Sequence, residues 1–280
     1  LSIKEFTLIS STLFLAFNKS IQEEISSRIE QAGFQHAKAM TLHSLGLMAL
    51  NFHFGKVTID KNKNYKLIKS LQEYNKGLFN RMSWEEKSKT TITLMEMNDV
   101  SRIYMTNDVE MITAYMQEMD KFFFLHPLLD QLWQEVLYIR TTFEDEHISD
   151  FIDMIYMVVD RQLPVPLQPY YLMIDECQDL NLAQHKFINQ FIEQGDIHKW
   201  IAVGDRRQSI YGFSGSHSSS FDLFKERPNV VELPLDVCYR CPTLVIQEAN
   251  LMYDVMQGYK IDSGIVSTID TFDKVQDGSM

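Results

Sequence analysis

The sequence lacks the features that mark secreted and membrane proteins. It has only three cysteines among 280 residues, an odd and small number that excludes a disulfide framework and indicates a reducing, cytoplasmic setting. It contains no apolar run near the roughly 18–20 residues that a membrane span needs. Its first residues carry no basic-then-apolar signal pattern. We therefore expect an intracellular chain with no membrane partner.

Positive charge is also scarce. The chain has 26 lysines and arginines against 38 aspartates and glutamates, which gives a formal net charge of −12. A surface that is basic all over, as in proteins that coat nucleic acid, is therefore excluded. Any nucleic-acid site has to be a local groove in an otherwise acidic body.

The first and last thirds of the chain show a pattern typical of a parallel sheet covered by helices. Short β-branched and apolar runs alternate there with segments of helical periodicity. With 45% hydrophobic and 23% charged residues, the chain can bury a sizeable core. The predicted strands are Phe6–Ser10, Thr12–Phe17, Tyr170–Ile174, Trp200–Val203 and Val230–Leu233.

Helical spacing fills the rest of the sequence. Helices are predicted behind Asn18, in the segment that stops at Gly195, and after Pro242. Residues 56–164 show helical stripes that no convincing strand interrupts. This middle third therefore predicts an all-helical insertion within an α/β domain.

Two adjacent carboxylates, Asp175 and Glu176, directly follow the apolar run that ends at Ile174. The carboxyl ends of buried parallel strands are where open α/β sheets bind ligands. One carboxylate there can hold Mg²⁺ through its water shell while its neighbour polarises an attacking water, the division of labour that nucleotide hydrolysis needs. The alternative is a solvent-exposed turn that happens to be acidic.

A second polar segment, residues 204–215, follows the predicted strand that ends at Val203. Gln208 brings a hydrogen-bond donor and an acceptor to the same sheet edge. Tyr211 and Phe213 lie in a glycine-containing loop, where exposed rings can stack on unpaired bases. Alternatively, the two rings simply anchor the loop.

Further polar residues stand at predicted strand-to-helix transitions. Arg240 could neutralise a phosphoryl group, or form an ordinary surface ion pair. Lys19, His43 and the hydroxyls beside them could contact backbone phosphates. A lone histidine at such a position is more often a capping or buried residue.

Together, these motifs resemble superfamily 1 DNA helicases of the UvrD/Rep family. The motifs are Asp-Glu-Cys-Gln-Asp at 175–179, Val-Gly-Asp-x-x-Gln-Ser-Ile-Tyr-Gly-Phe at 203–213 and Tyr-Arg-Cys-Pro at 239–242. Segments 17–19 and 41–44 are similar to the early DNA-contacting motifs of that family, and 150–154 to the segment after its helical insertion. The resemblance implies a RecA-like parallel-sheet motor domain of the P-loop NTPase type, with an inserted all-helical subdomain.

The resemblance also implies a division into domains and an activity. Residues 1–55 and 165–235 would form motor domain 1A, 56–164 a 1B-like helical insertion, and 236–280 the truncated start of a 2A-like second motor domain. The activity would be that of an ATP-dependent helicase or translocase that binds single-stranded DNA and unwinds duplex DNA in repair or replication. Its cofactors would be ATP and Mg²⁺, and repair or replication proteins are candidate partners.

The same resemblance assigns roles to individual residues. Asp175 would hold the Mg²⁺ of Mg-ATP through water, and Glu176 would orient the hydrolytic water. Gln208 would sense the terminal phosphate of ATP, and Arg240 would contact it. The residues that would contact DNA are Phe17, Asn18, Lys19, Thr41, His43, Ser44, Tyr211 and Phe213.

Two departures from the family pattern stand out. No Gly-x-x-x-x-Gly-Lys-Ser/Thr phosphate loop occurs in the sequence, although one should follow the first strand near Ser10. At the same junction two strand runs abut, so either they form one long strand or a loop and helix between Ser10 and Ser11 are missing. The absent initiator Met and the early end after Arg240 further suggest a fragment, which alone should not unwind DNA.

A second class of function therefore stays open beside the motor. The chain could be a non-catalytic nucleic-acid-binding module derived from such a motor, without its phosphate loop. The intact Asp175–Glu176 pair argues against this alternative, because a module without ATP turnover has no need of both carboxylates.

Overall fold

The computed structural model describes residues 11–142, 145–195, 197–205, 208, 220–235, 237–251 and 257–260. The chain divides into two compact units, 1–227 and 228–280. The strands are β1 (Thr12–Ala16), β2 (Ala37–Thr41), β3 (Thr58–Ile59), β4 (Ile148–Ser149), β5 (Tyr171–Ile174), β6 (Lys199–Ala202), β7 (Val237–Pro242) and β8 (Gln257–Lys260). The helices are α1 (Lys19–Gln31), α2 (Leu42–Phe54), α3 (Lys63–Tyr74), α4 (Lys76–Phe79), α5 (Trp84–Tyr104), α6 (Val109–Glu118), α7 (Leu129–Thr142), α8 (Asp153–Asp160), α9 (Leu182–Gln194), α10 (Ser220–Lys225) and α11 (Thr243–Asn250).

The first unit is built on a parallel sheet of four strands in the order β2-β1-β5-β6. Its inner strands carry buried apolar side chains, among them Leu13, Leu15, Leu172 and Ile174. These join a core with residues of α2, α8 and α9. The predicted α/β fold with a parallel sheet is therefore confirmed.

Helix α2 approaches α8 unusually closely at Gly46. A Cβ atom at this position would lie 1.9 Å from the backbone oxygen of Met154, which is far inside van der Waals contact. Because glycine has no Cβ, the two helix backbones can touch there. The contact joins the helix that follows β2 to the segment that follows the helical region.

Helices α3 to α7 surround a second core. Ile68, Leu94, Met97 and Trp133 are fully buried in it, and the Trp133 indole donates a hydrogen bond to the backbone oxygen of Asn107 at 2.9 Å. The structure differs from the sequence prediction in one detail, since β3 and β4 form a two-residue parallel pair at the two ends of this region. Such short strands carry too few residues for an alternation pattern to reveal them.

A buried ionic cluster, comprising Arg102, Asp99, Asp150, Asp153 and Lys63, connects the helical region to α8. Arg102 donates to Asp150 and Asp153 at 2.7 Å each and to Asp99 at 2.6 Å, and Lys63 lies 2.6 Å from Asp153. Burial by itself would lower the pKa of Arg102, but the three carboxylates outweigh it and raise that pKa. The same two cations outweigh burial at Asp153 and lower its pKa. Both shifts favour the charged forms of Arg102 and Asp153.

Some predicted elements differ from the structure. The strand expected at Val230–Leu233 is wrong, because residues 230–235 have no regular structure and Val231 and Leu233 are 78% exposed. The run Phe6–Ser10 lies outside the described residues. In the second unit, α11 follows Pro242 as predicted, and β7 pairs in parallel with β8. Within the described ranges no helix is long and apolar enough to cross a membrane.

Candidate functional site

Four strands bring their polar ends to one edge of the sheet. The register pairs Ala16 with Thr41, Leu15 with Ile174, and Ile174 with Ala202, so the carboxyl ends of β2, β1, β5 and β6 lie side by side. Residues predicted from separate motifs are thereby placed on neighbouring strands. This edge is where open parallel sheets bind ligands.

Asp175 and Glu176 are held by the strands on both sides of β5. The Asp175 amide donates to the Leu15 oxygen at 3.1 Å, and the Cys177 amide donates to the Val203 oxygen at 3.0 Å. Glu176 adopts a left-handed backbone conformation with φ 51° and ψ 44°. Non-glycine residues rarely adopt this conformation unless surrounding contacts hold them there. The backbone of the carboxylate pair is therefore bonded to both neighbouring strands.

Three carboxylates crowd this strand end. Burial, followed by the charge of Glu176, raises the pKa of Asp175. The same two causes raise the pKa of Asp179 to about 6, and its Oδ1 has no hydrogen-bond partner. A cation beside Asp175 would relieve both the repulsion and the cost of burial.

The oxygen donors at this edge fit a divalent cation that keeps much of its water shell. Among the described residues, no three His, Cys, Asp or Glu side chains are arranged to hold a metal. A cation here would therefore take one or two carboxylates and complete its shell with water or phosphate oxygens. Mg²⁺ is bound in this manner at phosphate-transfer sites.

Gln178 is a site residue for which the sequence motifs predict no role. Its side chain is buried and links the ends of β5 and β6, because its Oε1 accepts from the Asp205 amide at 3.1 Å. Its Nε2 donates to Glu176 at 2.7 Å and to Asp179 at 3.2 Å. No local sequence signal identifies this role, because the partner of Gln178 at the end of β6 lies 27 residues further along the chain.

Gln208 also lies at the end of β6. Its backbone amide and its Nε2 both donate to Asp205 at 2.9 Å, to the backbone oxygen and to Oδ2 respectively. Asp205 in turn donates through its amide to Gln178, which contacts Glu176. A continuous chain of hydrogen bonds and backbone thus connects Gln208 with Glu176.

Six of the residues predicted to contact DNA lie at the ends of β1 and β2, in segments 17–19 and 41–44. Asn18 caps α1 by accepting from the Ile21 amide at 3.0 Å, and Thr41 caps α2 by accepting from the Ser44 amide at 3.2 Å. Lys19 is exposed and lies 3.6 Å from Glu23. The two caps place helix amino termini, with their partial positive charge, at this edge.

An aromatic group accompanies these two helix starts. Phe17 and His43 are partly exposed, and burial lowers the pKa of His43, which favours its neutral form. The Phe151 ring meets His43 edge-on at 5.9 Å and is 53% exposed. Phe151 lies in segment 150–154, which resembles the family, but its sequence context predicts no role for it. Its position beside His43 depends on the return of the chain from the helical region.

Three predicted residues cannot be placed at this site. Tyr211 and Phe213 lie outside the described residues. Arg240 belongs to β7 of the second unit. Their predicted contacts with DNA and with the terminal phosphate stay predictions.

The raised pKa of Asp179 makes folding stability dependent on pH. Its pKa of about 6 lies above the ordinary value of 3.8. The folded protein therefore has the full contribution of Asp179 to its free energy of unfolding below pH 3.8, and loses this contribution as pH rises through about 6. Asp179→Asn keeps an acceptor for Gln178 and cannot ionise. We expect it to raise the melting temperature at pH 7.5, where a gain on the order of 1 kcal/mol corresponds to about 2–4 °C. At pH 4.5 the gain should be small.

Thermal unfolding in EDTA measures this effect, because a bound cation would itself favour the carboxylate. The control is Asp160→Asn, which removes an exposed carboxylate and should change stability little at either pH. An equal gain from Asp179→Asn at both pH values would show that ionisation of Asp179 is not its source.

The sheet, its four polar strand ends and the helical region define a RecA-type α/β motor domain. The family model described as the UvrD/REP helicase N-terminal domain matches residues 3–229. The chain belongs to this family, and the resemblance inferred from its motifs is confirmed.

Individual relatives agree with the family match. The chain is 25% identical over 224 residues to ATP-dependent DNA helicase Rep of Buchnera aphidicola subsp. Acyrthosiphon pisum, covering 75% of this chain and 32% of that protein. It is 23% identical over 266 residues to DNA helicase II of Haemophilus influenzae, covering 86% and 33%. A shorter match, 33% over 109 residues, relates 36% of the chain to 14% of ATP-dependent DNA helicase PcrA of Leuconostoc citreum. The chain therefore spans about a third of the length of the Buchnera and Haemophilus relatives.

Proposed function

We propose that this chain is the amino-terminal motor portion of an ATP-dependent DNA helicase or translocase. The observation that carries the proposal is the single sheet edge on which two kinds of polar group meet. Asp175 and Glu176 follow β5, Gln208 is bonded to Asp205 after β6, and six of the candidate DNA contacts lie at the ends of β1 and β2. A nucleotide site and a single-strand site would thus be neighbours on one rigid sheet.

The nucleotide half of the proposal rests on the carboxylates. Asp175 would hold Mg²⁺ through water, and the ion when bound would neutralise charge on the phosphates. Glu176 would orient and polarise the attacking water. Gln208 would sense the terminal phosphate, and Arg240 would contact it. The raised pKa of Asp175 supports this, since burial and the charge of Glu176 destabilise a carboxylate that a cation would stabilise.

The DNA half rests on the caps and the aromatic group. Lys19 and the two helix starts, capped by Asn18 and Thr41, would contact backbone phosphates together with Ser44. Phe17, His43 and the exposed Phe151 would line the track of the bases. Tyr211 and Phe213 would stack on unpaired bases.

The proposal includes the domain assignment made from the sequence. Residues 1–55 and 165–235 would be motor domain 1A, 56–164 a 1B-like insertion and 236–280 the beginning of a 2A-like domain. Unwinding would then need the remainder of the second motor domain. Repair or replication proteins are the proposed partners of the whole motor.

Glu176→Gln in the full-length protein tests the proposal. We expect it to abolish ATP turnover while leaving nucleotide affinity nearly unchanged, because glutamine keeps the size of the side chain and cannot act as a base. ATP hydrolysis is measured with and without a single-stranded oligonucleotide, and nucleotide binding by titration of a fluorescent analogue.

The matched control is Glu110→Gln, the same change at an exposed position in α6, which should retain full turnover. Unchanged turnover in Glu176→Gln would remove Glu176 from the reaction and contradict the proposal.

A second candidate is favoured by one observation, the absence of a Gly-x-x-x-x-Gly-Lys-Ser/Thr motif from the sequence. Without the lysine and backbone amides of such a loop, the phosphates of ATP lose their main support. The protein would then be a nucleic-acid-binding module derived from a motor. It would bind a single-stranded oligonucleotide but neither bind nor hydrolyse ATP, an outcome that the same two assays identify.

A further inference from the structure

Gln178 occupies the junction between the two strand ends of the proposed nucleotide site. It is 2% exposed, and both ends of its amide group are used. The oxygen accepts from the Asp205 amide at the end of β6, and the nitrogen donates to Glu176 and Asp179. One buried side chain thereby contacts three residues of the site, which lie on two segments of the chain.

The orientation of this amide group is determined by its partners. If the group were flipped, its nitrogen would face the Asp205 amide, which is also a donor, and its oxygen would face two carboxylates. Both contacts would be repulsive. Only one orientation of the amide satisfies the three partners. In that orientation its oxygen bonds the end of β6 and its nitrogen bonds the residues after β5.

Gly204 keeps the end of β6 in contact with this amide. A Cβ atom at Gly204 would lie 2.5 Å from the Gln178 Oε1 and 2.8 Å from the Cys177 Sγ. Only glycine allows such a close approach. A displacement of the β6 end would therefore be transmitted to Gln178.

Glu176 is the group that this arrangement can steer. Its backbone is held in the left-handed conformation, with φ 51° and ψ 44°. A donated hydrogen bond of 2.7 Å from Gln178 then fixes one of its two carboxylate oxygens. A charge-assisted bond of this length orients the group strongly.

We infer that Gln178 is a positioning residue, which orients the Glu176 carboxylate and makes that orientation depend on the end of β6. The inference rests on the proposed function, in which Glu176 polarises the attacking water. Because Gln208 is bonded to Asp205, a change at Gln208 can reach Glu176 through Asp205 and Gln178. Gln178 would thus couple the segment after β6 to the hydrolytic step.

Two substitutions separate the links that Gln178 makes. Gln178→Met has a similar shape but removes both the donor and the acceptor. Gln178→Glu keeps an acceptor for the Asp205 amide but replaces the donor to Glu176 with a repelling carboxylate. If orientation of Glu176 is the role of Gln178, both variants should lower kcat for ATP by about 10²-fold, since a misplacement of about 1 Å has that effect. The KM for ATP should stay within about twofold, because nucleotide binding does not use this bond.

The matched control is Gln190→Met in α9. Gln190 also donates two hydrogen bonds, to the backbone oxygens of Val158 and Leu163 at 3.2 and 2.9 Å, but it lies away from the carboxylates. Its loss should lower the melting temperature without changing kcat per folded molecule. A drop in kcat that matches this control after correction for folded protein would show that Gln178 has only a structural role.

A double variant tests whether Gln178 acts through Glu176. Single-turnover hydrolysis should be no slower in Glu176→Gln with Gln178→Met than in Glu176→Gln alone, because residues that act as a unit are not additive. A further loss that multiplies with the first would overturn the inference. If the unaltered protein hydrolyses ATP and both Gln178 variants keep its full kcat, the inference is also overturned. The proposed function would then stay intact.

Hydrogen exchange at the Asp205 amide gives a readout that does not need ATP turnover. Exchange there should accelerate in Gln178→Met and stay slow in Gln178→Glu and Gln190→Met. Equal exchange in all three variants would contradict the link between β5 and β6. Absence of hydrolysis in the unaltered protein would instead contradict the proposed function, and with it the role of Gln178 in hydrolysis.

Discussion

Replacing Arg102 with methionine is expected to destabilise the chain by about 3–5 kcal/mol, since it leaves buried carboxylates without their cation. The Arg102 side chain is 3% exposed, and those of Asp153 and Asp150 are 1% and 10% exposed. Lys63 would still contact Asp153, but Asp150 would lose its ion pair with Arg102. Arg102→Lys should cause a smaller loss, because it keeps a positive charge beside the carboxylates. Some loss should remain, since one ammonium cannot replace a planar group that bonds three carboxylates.

Urea unfolding at pH 7 measures the effect. The control is Lys89→Met, which breaks the exposed pair between Lys89 and Glu85 in α5 and should cost less than about 0.5 kcal/mol. A loss below about 1 kcal/mol for Arg102→Met would mean that the carboxylates are neutral or hydrated in the folded protein.

Gly46→Ala is expected to destabilise the chain by more than about 2 kcal/mol, although alanine is the better helix former by about 1 kcal/mol. The new methyl group would lie 1.9 Å from the Met154 oxygen and 2.9 Å from its carbonyl carbon. Both are backbone atoms of α8, so no side-chain rotation relieves the clash. The whole helix has to move, and α8 carries Asp153 of the ionic cluster as well as core residues.

Gly77→Ala in α4 is the matched control for this substitution. A Cβ at Gly77 meets no heavy atom within 4 Å, so the change should be neutral or stabilising by up to about 1 kcal/mol. The two variants are compared by urea unfolding under the same conditions. Similar effects at both positions would show that the close contact of α2 and α8 relaxes at little cost.

The sequence predicts secondary structure best where the residues of one segment are enough to determine it. The run before Asp175 is apolar and β-branched at its end, and β5 was expected from it almost to the residue. The amino end of α1 was likewise predicted, because Asn18 is a strong capping residue. Val230–Leu233 has an equally good strand composition, but a strand needs a partner, and none pairs with it among the described residues.

The parts that escaped prediction depend on residues far apart in the chain. The bond between Gln178 and the Asp205 amide joins positions 27 residues apart, and the pair of Arg102 with Asp153 joins positions 51 apart. Local periodicity contains no information about such pairs. The candidate site was therefore predictable as a set of motifs at strand ends, while the side chain that connects two of those ends was visible only in the structure.

The short pairing of β3 with β4 has a consequence for how such a chain can change over generations. Thr58 lies opposite Ile148 and Ile59 opposite Ser149, so the chain leaves for the helical region and returns from it at neighbouring points. With a strand spacing of about 4.8 Å and a rise of about 3.3 Å per residue, these points are less than about 10 Å apart. Closing a longer loop costs little extra entropy once its ends are held together. Helices can therefore be gained, shortened or exchanged between Ile59 and Ile148 while the sheet edge stays in place, provided that a cation still meets Asp150 and Asp153.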